Sequence, residues 1–163
     1  MNQKRNRITI YRGSHQIGGC VTEIRTNNHR IVIDFGANLP NSKVEGAMGD
    51  EALTQTMFHG EPCDGVLFTH YHGDHIGLYK EIPQNIPLYI GSTAKKLLEI
   101  LTEKLDSGMK AAEKGLPRIE SIKCYFPGQK LEVFGDIHVT PFIVDHSALD
   151  AYMFSIETGG KKI

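Results

Sequence analysis

The chain has 163 residues, enough for one ordinary domain, and its 40% hydrophobic and 23% charged content is that of a globular protein able to bury a core. Eighteen basic residues against nineteen acidic ones give a formal charge of −1, so no global positive field announces a nucleic-acid partner and only a local basic groove stays open. Three widely spaced cysteines, Cys20, Cys63 and Cys124, argue against a disulfide framework, and no apolar run approaches the roughly 18 residues of a membrane span.

The basic start, Met1 to Arg7, leads into too short an apolar stretch for a signal peptide, so a cytoplasmic location is expected. Ile8 to Tyr11 alternates like a strand. The turn Gly13-Ser14-His15-Gln16-Ile17-Gly18-Gly19 then leads into a second strand, Cys20 to Arg25. That glycine-rich turn lacks both phosphate-binding spacings, and no helix pattern comes after it, so it reads as a hairpin turn. A third strand is expected over Arg30 to Phe35, and Asp34 at its end would ordinarily be a turn or cap residue. Pro40, Asn41 and Ser42 mark a loop, and Asp50 to Phe58 suits a short helix with Leu53 and Met57 inward. His59 has no patterned partner and reads as a surface histidine.

Val66 to Thr69 forms a short apolar run that reads as a buried strand, and it delivers His70, His72, Asp74 and His75 within six positions. Gly73 lets the chain turn there, and Ile76, Leu78 and Tyr79 look like the start of a helix. Imidazole and carboxylate are ligands that borderline metals such as Zn²⁺ accept. Alternate spacing lets His70 and His72 point one way while Asp74 and His75 reach a neighbouring point, which makes room for two adjacent metals. A polar surface loop rich in histidine is the plainer alternative. Four ligand-type residues directly behind a buried strand argue against it.

Beyond this loop, Pro87 to Ile90 reads as a strand and Ser92 as the N-cap of a helix. Ala94, Leu97, Leu98, Leu101 and Leu105 are expected on its buried face. Asp106-Ser107-Gly108 should end it, and Met109 to Gly115 suits a short second helix. The last third reads as strands over Ile119–Tyr125, Gln129–Val133, Ile137–Val144 and Ala151–Thr158. Alone, His146 would be a structural or surface histidine, but it too stands directly after an apolar strand end.

The pattern His70, His72, Asp74, His75 resembles the metal motif of the metallo-β-lactamase superfamily. The resemblance implies an α/β fold, an αββα sandwich with the site along one edge, and a binuclear zinc hydrolase. Asp34 matches the family's first motif, an aspartate that supports the ligands from behind without binding metal itself. His146 matches its third motif, and His15 lies in a loop like the one that opens the fold. Asp145 to Tyr152 looks like the corresponding region of the β-CASP branch, and of ribonuclease J in particular, where a histidine, a serine and an Asp-Ala pair occur together.

This likeness further implies hydrolysis of an RNA phosphodiester, with His70, His72 and His146 on a first metal and Asp74 and His75 helping to hold a second. Asp74 would orient the attacking water. The pattern suits equally a thioester or lactone hydrolase of the glyoxalase II kind, or a metal-binding but catalytically silent fragment. Gly159-Gly160-Lys161 resembles the approach to a fourth motif, so residues 1–163 are expected to be the N-terminal part of the domain, a mixed sheet with flanking helices that binds one metal well. One sheet with helices on a single side would leave its other apolar face bare, which favours a homodimer whose second copy covers it.

Overall fold

The computed structural model describes residues 6–39, 48–110 and 114–163. The basic start up to Arg5, the loop signal at Pro40, Asn41 and Ser42, and residues 111–113 of the helix expected over Met109–Gly115 lie outside them.

Among the described residues, ten strands form two sheets. In the first, β1 (Arg7–Arg12), β2 (Val21–Arg25), β3 (Arg30–Ile33), β4 (Gly65–Leu67), β5 (Leu88–Gly91) and β6 (Lys123–Tyr125) lie in sequence order. The first three are antiparallel neighbours and the last three join in parallel, with Val32 opposite Val66 and Leu67 opposite Tyr89. The second sheet is antiparallel, in the order β10 (Lys161–Lys162), β9 (Tyr152–Thr158), β8 (Ile137–Ile143), β7 (Leu131–Phe134).

Strand alternation divides the core in two. Val32, Val66, Phe68, Leu88 and Ile90 face the helical layer and pack with Leu53, Met57, Ile76, Ala94 and Leu98. Ile31, Leu67 and Tyr89 point the other way, onto Phe134, Ile137, Val139, Tyr152 and Ile156 of the second sheet. The bare face expected of a lone first sheet is therefore covered. Apolar exposure falls instead on the outer side of the second sheet, where Phe142 and Met153 stand opposite each other in register.

Helix α1 (Asp50–Phe58) buries Leu53 and Met57, as its spacing predicts, and Arg12 ties its first residue down through Asp50 at 2.6 Å. The loop after β4 opens into α2 (Gly73–Ile76), succeeded by a single 3-10 turn over Tyr79–Glu81. Helix α3 (Ser92–Asp106) departs from expectation at both ends. Its N-cap position is Gly91, with no side-chain cap from Ser92; Asp150, far along the chain, accepts hydrogen bonds from Thr93 N and Ala94 N at 2.8 Å each.

The buried face of α3 is Ala94, Leu98, Thr102 and Asp106, while Leu101 and Leu105 are 50% and 75% exposed. Asp106 goes inside because its carboxylate accepts from Gly115 N and Leu116 N, at 3.1 and 2.9 Å, at the start of α4 (Leu116–Glu120). That helix replaces the first part of the strand expected over Ile119–Tyr125. Pro117 at its start has its φ preset for a helix, and the buried Arg118 guanidinium bonds the carbonyls of Pro83, Gln84 and Ile86. No helix of the described residues is long and apolar enough to cross a membrane.

Candidate metal centre

The histidine loop is held by backbone bonds to the chain leaving β3 and to the residue that leads into β2. Phe35 N donates to His75 O at 2.8 Å, Ala37 N to Gly73 O at 3.0 Å, and Cys20 N to Asp74 O at 3.0 Å. The approach is so close that a Cβ on Gly36 would lie 1.7 Å from the Asp74 carbonyl oxygen. Only glycine fits there.

Asp34 sits behind the loop, buried, with a left-handed φ of 59° that aspartate tolerates better than most residues. Its carboxylate accepts from Thr69 N at 2.7 Å, from the Thr69 hydroxyl at 2.9 Å and from His75 Nδ1 at 2.7 Å. With its proton committed to Asp34, the Thr69 hydroxyl accepts from His70 Nδ1 at 3.0 Å. This relay sets two tautomers: both rings carry hydrogen on Nδ1 and turn Nε2 away from the backbone. Burial works to raise the Asp34 pKa, against the pull of His75 and Thr69. For His75, burial opposes the charged form, but the Asp34 carboxylate outweighs it and the pKa rises.

His70 is buried and its Nε2 has no hydrogen-bond partner. A polar atom in that position is expensive unless something outside the chain completes it. Burial, then the neighbouring His75, His146 and His72, push its pKa down to about 3, so the ring is neutral at ordinary pH and has a lone pair to give. His72 and His146 converge on it, the ligand atoms of the three rings all lying within 4.8 Å of one another. No other group of three metal-ligating side chains comes together among the described residues.

His146 arrives from the second sheet, on the loop between β8 and β9. Its Nδ1 accepts from Ala148 N at 3.0 Å, which leaves its proton on Nε2, so the ring must give up that bond or that proton to become a ligand. Asp74 Oδ2 and His75 Nε2 face each other at 3.6 Å beside the three histidines, with the His70 and His75 rings 4.0 Å apart. They form a two-member set next to a three-member one. His15 and His59 are exposed and stand outside both.

Sequence reasoning passed over Thr69 and Gly36. Their only signal was position: a hydroxyl immediately before the first histidine, and a glycine two residues after the strand-end aspartate.

The donor chemistry and the orphaned Nε2 of His70 fit a borderline divalent metal. The sequence profile described as the metallo-beta-lactamase superfamily matches residues 19–163. No curated protein matches the chain in sequence. Among solved structures, a protein of unknown function from Enterococcus faecalis V583 superimposes with a TM-score of 0.73 at 21% identity, covering 98% of this chain and 42% of that one. BJP-1, a subclass B3 metallo-beta-lactamase of Bradyrhizobium japonicum, gives 0.60 at 20% identity over 89% of this chain and 53% of its own. MEM-A1, a subclass B3 metallo-beta-lactamase from a soil metagenome library, gives 0.58 at 19% over 89% and 54%. The chain thus spans about half the length of these structures, at identities that speak for the fold. With two packed sheets and histidines meeting along their shared edge, and with the profile matched from residue 19 to residue 163, the chain belongs to the metallo-β-lactamase superfamily.

Proposed function

We propose that the chain carries the metal-binding part of a hydrolase active site, and that the full-length protein cleaves RNA phosphodiesters with zinc as its metal. The observation that supports this best is the convergence of His70, His72 and His146 within 4.8 Å around a buried, partnerless Nε2. These three would hold one ion, while Asp74 and His75 offer part of the coordination of a second. When bound, such ions supply Lewis acidity toward a phosphoryl oxygen and lower the pKa of water toward neutrality.

The chain's own groups do the rest. Asp34 and Thr69 hold His70 and His75 in the tautomer that frees Nε2. Asp74 Oδ2, partly exposed at the edge of the site, accepts a hydrogen bond from the attacking water and orients it. RNA is favoured by the run Asp145 to Tyr152, in which His146 and Ser147 precede the Asp150-Ala151 pair as in ribonuclease J.

A second reading, hydrolysis of a thioester or lactone, draws support from Ile17 and Leu149, which are 82% and 62% exposed on the opening loop and the His146 loop. Apolar side chains there suit an acyl group better than a sugar-phosphate backbone.

The test is to assay a labelled RNA and a thioester with Zn²⁺, using this chain and a longer one that continues beyond Ile163. RNA cleavage that is abolished by His70→Ala supports the proposal. Thioester turnover alone favours the second reading. Stoichiometric metal binding without turnover in either chain would leave a metal-binding, catalytically silent protein.

A further inference from the structure

The three imidazoles come from two different sheets. His70 and His72 lie just beyond β4 of the first, whereas His146 lies on the loop between β8 and β9 of the second. Their convergence is therefore only as good as the placement of that loop against the first sheet. Loop geometry alone does not supply it: the bond from Val144 N to Ala151 O, at 3.0 Å, closes the loop's neck on itself. Two links cross to the first sheet. At the neck, Tyr152 N donates to Thr69 O at 3.0 Å. Within the loop, Asp150 Oδ2 accepts from Thr93 N and Ala94 N, both at 2.8 Å, at the start of α3.

Three further observations show that this second link is built. Asp150 holds a left-handed φ of 63°, a conformation that aspartate tolerates better than most residues with a Cβ. Its other oxygen is occupied by the Tyr152 hydroxyl at 2.5 Å, so both oxygens are committed. Gly91 lacks a side chain where one would intrude, since a Cβ there would stand 2.5 Å from Asp150 Oδ2. The negative charge also complements the positive end of a 15-residue helix. From Asp150 the loop runs back through buried Ala148, whose amide donates to His146 Nδ1 at 3.0 Å.

We propose that Asp150 is the positioning residue for His146, pinning its loop to the N-terminus of α3 so that an imidazole from the second sheet meets two from the first. This rests on His146 serving as a ligand in the proposed hydrolase site. It predicts that Asp150 governs metal affinity while touching no metal.

The experiment is a Co²⁺ titration monitored by visible absorption, with melting temperature measured in parallel, on the wild-type chain and on Asp150→Ala, Asp150→Asn, Tyr152→Phe and Leu98→Ala. Asp150→Ala should weaken Co²⁺ binding by about tenfold or more, the range typical of groups that orient a ligand, and should reduce the absorption of the three-imidazole complex. Asp150→Asn, which keeps one acceptor oxygen, should fall between. Leu98→Ala loosens α3 from the core without reaching the loop, and should lower the melting temperature while leaving the affinity unchanged.

If Asp150→Ala melts earlier yet binds Co²⁺ with wild-type affinity and spectrum, the residue is only a helix cap and the proposal falls. Should Asp150→Ala be insoluble, wild-type affinity in both Asp150→Asn and Tyr152→Phe overturns it equally. If the wild-type chain binds no Co²⁺, it is the metal-centre reading that fails. The positioning role is then decided in metal-free protein by nuclear Overhauser contacts between the His146 and His70 rings, whose centroids lie 4.4 Å apart. Contacts that are lost in Asp150→Asn sustain the role, and unchanged ones refute it.

Discussion

Replacing Asp34 with asparagine exchanges one oxygen for an amide NH₂ at the point where both tautomers of the candidate centre are set. Asparagine tolerates the φ of 59° as aspartate does, so the backbone is not the perturbation. The remaining oxygen can keep the bond from Thr69 N, 2.7 Å in the wild type. The new NH₂ then faces His75 Nδ1, where a hydrogen already points at Asp34 Oδ2 from 2.7 Å. Two donors cannot share that contact. His75 must move its proton to Nε2, the atom that faces Asp74 Oδ2.

A charge-assisted bond of roughly 1.5–3 kcal/mol is exchanged for a neutral one of about 1 kcal/mol, a net loss of about 0.5–2 kcal/mol. For a domain of this size that lowers the melting temperature by roughly 1–8 °C. Blocking Nε2 of His75 should cost metal affinity at the Asp74–His75 set by about 10–100-fold. The assay pairs urea denaturation with nitrogen resonances of His75 and a Zn²⁺ titration. An Asp34→Asn protein in which His75 keeps its Nδ1 proton, or which binds metal as tightly as the wild type, would refute the relay.

Gly36→Ala places a methyl group 1.7 Å from the Asp74 carbonyl oxygen, a contact that backbone must move to relieve. Its cost should exceed the roughly 1–3 kcal/mol of ordinary overpacking, seen as a large drop in urea midpoint or as insoluble protein. Burial works to raise the pKa of Glu23, but its hydrogen bonds and ion pairs with Arg30 and Arg25 outweigh it and hold the pKa below the usual value. Below about pH 4.5 the unfolded chain therefore takes up that proton more readily, so stability conferred by Glu23 is present above that pH and is lost as pH falls through the lower, folded value. Urea midpoints at pH 7 and pH 4 should differ less in Glu23→Gln than in the wild type, and equal differences would count against the ion cluster. Burial pushes the Cys63 thiol up, whereas Cys124 is exposed. Iodoacetamide at pH 8 should therefore label Cys124 well before Cys63, as peptide mapping by mass spectrometry would show.

Much of this was legible in the chain itself. Uninterrupted apolar runs such as Ile31-Val32-Ile33 and Val66-Leu67-Phe68 mark strands buried on both faces, and Leu53 and Met57 four apart mark the inner side of α1, because local backbone geometry dictates which side chains share a face. Ligand chemistry directly behind strand ends, at His70 to His75 and at His146, was visible for the same reason. Where local signals competed with distant partners they failed. Leu101 and Leu105 look like core residues but are exposed, since Asp106 is drawn inward by the amides of Gly115 and Leu116. Ser92 looks like a cap, but Asp150 does the capping from 56–57 residues away. The sequence by itself determined the layers, most of the elements and the residue types of the candidate centre, all properties of contiguous segments. Only the tertiary structure decided the rest: the packing of two sheets brings His146 to His70 and His72, and the pairing of β3 with β4 inside the first sheet lets Thr69 link Asp34 to His70, because those distances are set between segments that the chain's order keeps apart.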